Sequence, residues 1–255
     1  MTRSITYTAL PDIPLVQPGD DICALIKASL ARAGIVLQDG DVLVIAQKVI
    51  SKSENRYVDL ADVVPSPRAR DLAEISGKNP RHIEAVLGES AEVLRVKPNV
   101  MIVAHRLGYV MANAGIDESN IEKLDGIDRV LLLPVDPDAS CRAIKTTLDN
   151  EFAVSIGVII NDSFGRAWRN GVVGVALGAA GISSLHNMIG SPDLFGRAMK
   201  VTEVAIGDEL AAAASLVMGQ GAEGLPVVHV RGYHNRGAEN DAAALIRPRH
   251  MDMFR

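Results

Sequence analysis

The feature that most restricts the fold of this chain is a largely aliphatic run, Val154–Ile160, that leads directly into Asn161, Asp162 and Ser163. An apolar run of this length is typical of a buried β-strand. This run ends in an amide, a carboxylate and a hydroxyl, and arginines and several glycines follow closely. The pattern therefore predicts a sheet protein that presents polar groups at the end of a core strand.

Capping residues and apolar runs indicate the remaining elements. A helix is predicted from Asp20 or Asp21 to about Ala33, and the pairs Ser66-Pro67 and Asn79-Pro80 begin two more. A further helix is predicted at 208–218, and strand-like runs occupy 41–52, 99–104, 109–112, 130–133, 153–160, 199–206 and 226–231. Because strands and helices alternate without a regular βαβ rhythm, we expect a mixed α/β (α+β) fold. Residues 1–255 are taken as a single catalytic unit with no evident boundary.

Two common nucleotide-binding folds are not predicted. The glycines of "GQGAEG" (219–224) match the dinucleotide fingerprint, but a helix precedes them and Pro226 with a β-rich run follows. A Rossmann fingerprint requires the opposite order, strand before and helix after. The segment is either a close-approach loop for a ligand or an ordinary turn. No G-x-x-x-x-G-K-[ST] is present, so a P-loop is not expected either.

Composition argues against two classes of partner. The formal net charge is −5 and the pI about 5.7, so we expect no binding to nucleic acid through its phosphates. The longest uncharged apolar run, 171–183, is too short and too rich in glycine to span a bilayer, so no membrane contact is expected. The first 15 residues lack a signal-peptide core, and a cytoplasmic location is the expectation.

Two polar clusters could hold a metal ion. "NAGIDESN" (113–120) follows a short strand-like run, and Asp162 with Ser163 follows the long one. Hard oxygen ligands of this kind suit Mg²⁺ or Mn²⁺ better than zinc. Taken singly, each aspartate is equally compatible with a turn. Arg166 and Arg169 downstream add cations for phosphate or carboxylate groups, which favours a metal-plus-phosphate site.

Lysines and glycines near these clusters have two readings each. Lys48 and Lys52 come at the end of a β-rich run, where an ammonium can meet phosphate, or they are two solvated lysines. The glycines that follow the second cluster either serve a ligand or allow tight packing; they are Gly171, Gly174, Gly178 and Gly181.

As a set, five motifs resemble the coenzyme F420-0:L-glutamate ligase family. They are "VISK" (49–52), "NAGIDESN" (113–120), "NDSFGRAWRNGVVGVALGAAG" (161–181), "DLFGR" (193–197) and "MGQGAEGLPVVHVRG" (218–232). The resemblance runs from about residue 10 to 233. It implies an unusual two-domain fold and an intertwined homodimer. It also implies a GTP-dependent ligase that adds L-glutamate to F420-0, and then a further γ-linked glutamate.

The resemblance also implies site residues. The implied metal ligands, for Mg²⁺ or Mn²⁺ with two ions per site and K⁺ as a possible activator, are Asp117, Asp162, Ser163 and Gln220. The implied nucleotide positions are Ile13, Pro14, Leu15, Val16, Gln47, Lys48, Lys52, Asn120, Met218, Gly219, Gln220, Gly221, Ala222, Glu223, Gly224 and Leu225. Arg166 and Arg169 are our own candidates for catalytic groups that neutralise phosphate or substrate carboxylates.

Two positions depart from the family pattern. The pattern has an acidic residue where this chain has Gln220, so one metal position is either weakened or filled by water or Glu223. It has a small hydroxylated pair where this chain has Gln47 and Lys48, so either Lys48 contacts phosphate in compensation or guanine selection changes.

The mechanism implied is activation of a carboxylate by GTP to an acyl phosphate, which the glutamate amine then attacks. Two alternatives remain open at this stage. One is a metal-dependent nucleotide phosphohydrolase that uses the same acids to orient water. The other is a non-catalytic, GTP-sensing dimer.

Overall fold

The computed structural model describes residues 3–121, 128–235 and 237–253. In chain order the strands are β1 (Thr6–Ala9), β2 (Val42–Ala46), β3 (Tyr57–Asp59), β4 (Ser90–Lys97), β5 (Val100–His105), β6 (Val110–Ala112), β7 (Arg129–Leu131), β8 (Gly157–Arg166), β9 (Arg169–Ala180), β10 (His186–Asn187), β11 (Glu203–Val204) and β12 (Val227–Arg231). The α-helices are α1 (Ile22–Arg32), α2 (Gln47–Ser53), α3 (Pro67–Ser76), α4 (Pro80–Glu89), α5 (Pro137–Phe152) and α6 (Ile206–Met218). The mixed α/β expectation is confirmed.

A five-stranded sheet with the order β1-β12-β2-β8-β9 forms the centre of the chain. Strands β2 and β8 are parallel, with Ala46 opposite Asn161, so both reach the same edge with their carboxyl ends. Strand β12 runs antiparallel to β2, with Val227 opposite Ile45, so the segment that precedes β12 reaches that edge as well. We call this edge, at Ala46, Asn161 and Val227, the catalytic edge, after the predicted site residues that lie beside it.

Helices cover both faces of the sheet. Along β2, Leu43 and Ile45 belong to the apolar cluster that includes helices α1 and α5, whereas Val42 and Val44 belong to the cluster that includes α6. Because successive side chains of a strand point to opposite faces, a strand between two helical layers is apolar throughout. This arrangement explains the aliphatic run of β8, where Ile160 faces α1 and α5 and Ile159 faces α6.

Three glycines of β9 and its end allow close packing. An added Cβ at Gly174 would overlap Ser215 and the Ala211 carbonyl of α6, and one at Gly178 would overlap Pro137 at the start of α5. An added Cβ at Gly181 would overlap the Ile156 carbonyl. The packing prediction is therefore confirmed at these three glycines, and it accounts for how closely both helices lie on the sheet. At Gly171 the prediction is wrong, because an added Cβ there would meet no atom; this glycine instead has a φ of +85°.

A smaller part of the chain carries a second sheet, β4-β5-β6, and a two-stranded pair, β3-β7. Helices α3 and α4 pack on it around a separate apolar cluster that includes Ile83 and Val103. Tyr109, Met111 and Leu133 from this region join the core of the central sheet. The predicted division into two subdomains stays a prediction.

Helix starts were predicted better than strand ends. Asp21, Ser66 and Asn79 cap helices α1, α3 and α4 as expected, each by accepting a backbone N–H. The predicted strand 41–52 is wrong in its second half, since β2 ends at Ala46 and helix α2 follows. The predicted strand 199–206 is reduced to two residues of β11, because α6 already begins at Ile206. No helix of the described residues is long and apolar enough to cross a membrane.

Strand β8 does not end at Asn161, as the sequence predicted, but continues to Arg166. Residues beyond Asn161 have no partner on β2, yet each pairs with β9, with Asp162 opposite Val175. The sequence alone did not reveal that this part of β8 pairs with β9. This pairing keeps the segment 162–166 in the sheet.

Candidate active site

Two aspartates from different parts of the fold meet at the catalytic edge. Asp162 lies on β8 one residue past the end of β2. Asp117 lies after β6, where its backbone N–H donates to the Leu131 carbonyl at 2.9 Å and its carbonyl accepts from the Leu131 N–H at 3.0 Å. The charge of Asp117 raises the pKa of Asp162, which indicates that the two carboxylates lie near each other. We call Asp117 and Asp162 the acid pair.

Lys48 joins the acid pair from helix α2. Its ammonium forms an ion pair with Oδ2 of Asp117 and also acts electrostatically on Asp162. The Lys48 side chain is 31% exposed and that of Asp117 only 18%. The other oxygen of Asp117, Oδ1, accepts the hydroxyl of Ser119 at 2.8 Å and its N–H at 3.2 Å. Both oxygens of Asp117 therefore have partners.

The electrostatics of Asp162 are unusual for an aspartate. Burial raises the pKa of Asp162 to about 6, the Lys48 ammonium and the Ser163 backbone N–H oppose the rise, and Asp117 adds to it. A carboxylate that is costly to ionise gains strongly from a bound cation, because the cation restores the charge balance that water would provide. The acid pair is thus suited to a positive ligand.

A second pair lies on the opposite face of β8. The Asn161 amide donates to Ser215 of α6 at 3.1 Å, so Asn161 faces α6 and Asp162 faces away from it. Ser163 returns to the α6 side, where its hydroxyl donates to Oε1 of Gln220 at 2.8 Å. The four predicted metal ligands therefore come together as two pairs, Asp117 with Asp162 and Ser163 with Gln220.

The loop after α6, residues 218–225, is stabilised by its own glutamate, Glu223. Glu223 accepts the backbone N–H of Gly221 at 2.7 Å, and hydrogen bonds from backbone N–H groups lower the pKa of Glu223. Gly219 has a φ of +76° and leaves no room for a Cβ beside the Glu223 carboxyl. The loop thus needs glycine here, and its only carboxylate is directed into the loop itself.

Two of the predicted nucleotide positions contact each other. The Lys52 ammonium on α2 donates to the Asn120 carbonyl at 2.8 Å. Gln47, at the start of α2, is buried; its Oε1 accepts from Ser51 at 2.8 Å, while its Nε2 has no partner within the described residues. Helix α2 therefore carries three of the predicted nucleotide residues to the catalytic edge.

The segment 13–16 also belongs to this edge. Strand β1 runs antiparallel to β12, and the Leu10 N–H donates to the Val227 carbonyl at 2.8 Å. The chain leaves β1 at the catalytic edge, after which Val16 is buried and Leu15 is exposed.

Arg166 and Arg169 are not brought to the acid pair within the chain. They face each other at the tip of the β8–β9 hairpin, and both are exposed. Arg166 lies four residues beyond Asp162, which corresponds to about 13 Å of extended strand. Trp168 at this tip is 81% exposed. Both arginines thus lie at the hairpin tip in a single copy of the chain, and their role in neutralising phosphate or substrate carboxylates stays a prediction.

Several other polar candidates have structural roles. Asn113 accepts the Met101 N–H at 3.1 Å, and Asn161 holds helix α6. His229 is buried and lies 2.8 Å from a carboxyl oxygen of Asp41, as the structural reading of this histidine predicted. Sequence reasoning missed that Lys48 would pair with Asp117, because nothing local relates residues that far apart.

A cavity of about 790 Å³ lies at the opposite end of the central sheet. Its lining includes Tyr7, Glu209 and Tyr233, with Gly232 from the chain just after β12. Since β12 leaves the catalytic edge at Val227 and ends at Arg231, this cavity is remote from the acid pair. The chemistry therefore points to the catalytic edge rather than to this cavity.

The donors at the catalytic edge fit a hard divalent cation. The acid pair offers carboxylate oxygens, and Ser163 and Gln220 offer a hydroxyl and an amide oxygen. Such donors suit Mg²⁺ or Mn²⁺. Within the part of the chain that the structure describes, no group of three or more His, Cys, Asp or Glu could hold a metal. A divalent ion here would need oxygens from a ligand such as phosphate to complete its shell.

Comparison with known proteins identifies the family. Residues 12–232 match the family described as F420-0:Gamma-glutamyl ligase. The chain belongs to this family. The membership predicted from the five motifs is therefore confirmed, and the matched range contains every predicted site residue.

Archaeal relatives support the membership over nearly full length. The chain is 46% identical over 254 residues to the coenzyme F420:L-glutamate ligase of Methanothermobacter thermautotrophicus, which covers 98% of this chain and 99% of the relative. It is 45% identical to the protein of the same name from Methanopyrus kandleri, over 94% of this chain and 93% of the relative. The Methanocaldococcus jannaschii protein of that name is 40% identical over 96% and 94%. The F420-0:gamma-glutamyl ligase architecture thus extends over the whole chain.

Proposed function

We propose that this protein is a GTP-dependent ligase that adds L-glutamate to coenzyme F420-0 and then adds a second, γ-linked glutamate. The observation that carries the proposal is the meeting of the acid pair, the Ser163–Gln220 pair and the Lys52–Asn120 contact at one edge of the sheet, in a chain of this ligase family. A triphosphate needs oxygen-rich metal ligands and nearby cations, and this edge contains both.

The acid pair would hold one divalent ion, Mg²⁺ or Mn²⁺, and Ser163 with Gln220 would contribute to a second, because the two pairs lie on opposite faces of β8. When bound, the metal supplies charge neutralisation on the phosphate oxygens that gain charge during transfer. Lys52, Asn120 and the loop 218–225 would position the nucleotide, with the segment 13–16 beside them. K⁺ as an activator belongs to the same proposal.

The proposed reaction has two steps. A carboxylate oxygen of F420-0 attacks the γ-phosphorus of GTP, the bond to the β,γ-bridging oxygen breaks, and GDP leaves. The glutamate amine then attacks the acyl carbon of the resulting acyl phosphate; the C–O bond breaks, phosphate leaves and the nitrogen loses a proton. A carboxylate has no good leaving group of its own. Phosphorylation supplies one, so the glutamate amine can then form the amide bond. The residues at the catalytic edge hold and orient the two anionic substrates of the first step, GTP and F420-0.

Arg166 and Arg169 fit this scheme in a homodimer. The hairpin tip exposes Trp168, and the segment around residue 195 exposes Leu194 (99%) and Phe195 (83%). Exposed apolar groups of this size mark an interaction surface. We include in the proposal that a second copy of the chain covers these groups and that the tip arginines act on anionic substrates there. Static light scattering of the wild type and Trp168→Glu tests this part, since the variant should dissociate.

The proposed activity is tested by incubating the protein with F420-0, GTP, Mn²⁺ and L-glutamate and measuring glutamyl addition by mass spectrometry. Asp162→Asn is the inactive control. GTP hydrolysis at an undiminished rate without F420-0 and glutamate would instead indicate a phosphohydrolase. GTP binding with no product of either kind would indicate a nucleotide-sensing protein.

A further inference from the structure

Lys48 holds a position at the acid pair that a cation would otherwise take. It is the second residue of α2, two residues past Ala46 at the catalytic edge, and its ammonium contacts Oδ2 of Asp117. Since Ser119 fills Oδ1 with two hydrogen bonds, Asp117 has no oxygen without a partner among the described residues. A metal ion can reach Asp117 only where it displaces or joins the ammonium.

Few charges lie on this face of β8 among residues 3–121 and 128–235. Asp117 and Asp162 contribute two negative charges and Lys48 one positive charge, which leaves a net charge of −1. Ser163 and Gln220 are neutral, lie on the other face and bond to each other. Glu223 is engaged by backbone N–H groups of its own loop. The ammonium thus halves the charge that would attract a divalent ion.

Lys52 does not share this position, although it lies one turn further along the same helix. Its ammonium donates to a backbone carbonyl, that of Asn120. Lys48 therefore contacts a carboxylate, and one contact of Lys52 is a backbone carbonyl.

We propose that Lys48 is a built-in cation of the acid pair, which competes with the divalent ion in the nucleotide-free protein and is released towards phosphate when a metal-bound triphosphate arrives. The inference rests on the proposed function, since it takes the acid pair as a metal site. This competition makes metal binding weak before the nucleotide binds. The metal and the nucleotide therefore bind together. In this way Lys48 controls when the metal binds to the acid pair.

The test measures Mn²⁺ binding in the absence of nucleotide, from the electron paramagnetic resonance signal of free Mn²⁺. Lys48→Met removes the charge, Lys48→Arg keeps it, and Lys27→Met removes a lysine of similar exposure that pairs with Glu151 at 2.7 Å on a different part of the surface. Removing a unit charge a few ångströms from a divalent ion should tighten Mn²⁺ binding about tenfold. Lys48→Arg and Lys27→Met should bind Mn²⁺ like the wild type.

Asp162→Asn separates the two ways in which the inference could fail. If Asp162→Asn loses Mn²⁺ binding but Lys48→Met binds no more tightly than the wild type, the acid pair is the metal site and the competition is wrong. If Lys48→Met also binds no Mn²⁺ without nucleotide, the competition is wrong. If, in addition, Asp162→Asn and the wild type bind Mn²⁺ equally in the presence of GTP, the metal site of the proposed function is wrong as well. Circular dichroism of each variant checks that it is folded, and Lys48→Ala replaces Lys48→Met where that variant does not fold.

Discussion

Replacing the carboxylate of Asp162 by an amide should stabilise the metal-free protein while abolishing ligation. Burial raises the pKa of Asp162 from 3.8 to about 6. A group that ionises less readily in the folded state than in the unfolded state lowers stability at pH values above both pKa values. The rise corresponds to about 3 kcal/mol at pH 7 and above. Because the amide also loses hydration on burial, the gain from Asp162→Asn should lie between about 1 and 3 kcal/mol.

The direction in which the stability of the protein changes with pH follows from the raised pKa of Asp162. Below about pH 3, Asp162 is protonated in both states, so the penalty is absent. As the pH rises towards 6, the unfolded state loses this proton before the folded state does, and stability falls. The advantage of Asp162→Asn should therefore be full at pH 7.5 and about half as large at pH 5.

Thermal unfolding in EDTA, followed by circular dichroism, measures this effect. A domain of this size gains roughly 2–4 °C per kcal/mol, so the variant should melt roughly 2–12 °C above the wild type at pH 7.5. Asp59→Asn is the control: an Arg129 hydrogen bond of 2.7 Å lowers the pKa of Asp59, so that variant should gain nothing. An Asp162→Asn protein that melts at or below the wild-type temperature would refute the reasoning.

Three further predictions concern the loop, the nucleotide and the packing. Lys52→Ala should weaken GTP binding about tenfold in calorimetry with an unchanged melting temperature, because we propose that its ammonium contacts phosphate and its side chain is not part of the apolar core. Gln220→Glu should lower the Mn²⁺ concentration for half-maximal ligation, since a carboxylate binds a divalent ion better than an amide; Gln38→Glu should not, and equal behaviour of both would place the loop away from the metal. Gly174→Ala should cost about 1–3 kcal/mol in denaturant unfolding through overlap with α6, whereas Gly165→Ala, with open space around it, should cost little.

Local signals explain which parts of the fold were predictable. Helix starts at Asp21, Ser66 and Asn79 depend on a side chain and a backbone N–H two or three residues away, so the sequence contains the whole interaction. The length of β8 depends on β9, and the long helix α5 (137–152) had no recognised apolar pattern. Non-local pairing therefore limited the prediction of the fold.

The candidate site shows the same limit. The motifs predicted that Asp117, Asp162, Ser163 and Gln220 belong to one site, and the structure places all four at the catalytic edge. Their division into two pairs follows from the alternation of side chains along β8, which required knowing that β8 continues. The ion pair of Lys48 joins helix α2 to the segment after β6, a contact that no spacing rule relates.

The unbroken course of β8 limits how its sequence can change in evolution. Successive side chains along β8 point to opposite faces of the sheet. For this reason Asn161 faces α6 and Asp162 faces Asp117. Inserting or deleting one residue between 157 and 161 would turn Asp162 towards α6 and place Asn161 or Ser163, neither of which carries a charge, beside Asp117. Point substitutions preserve this alternation, whereas the exposed turn beyond Arg166 can change length without altering it. Natural length variation in this hairpin should therefore be confined to its tip.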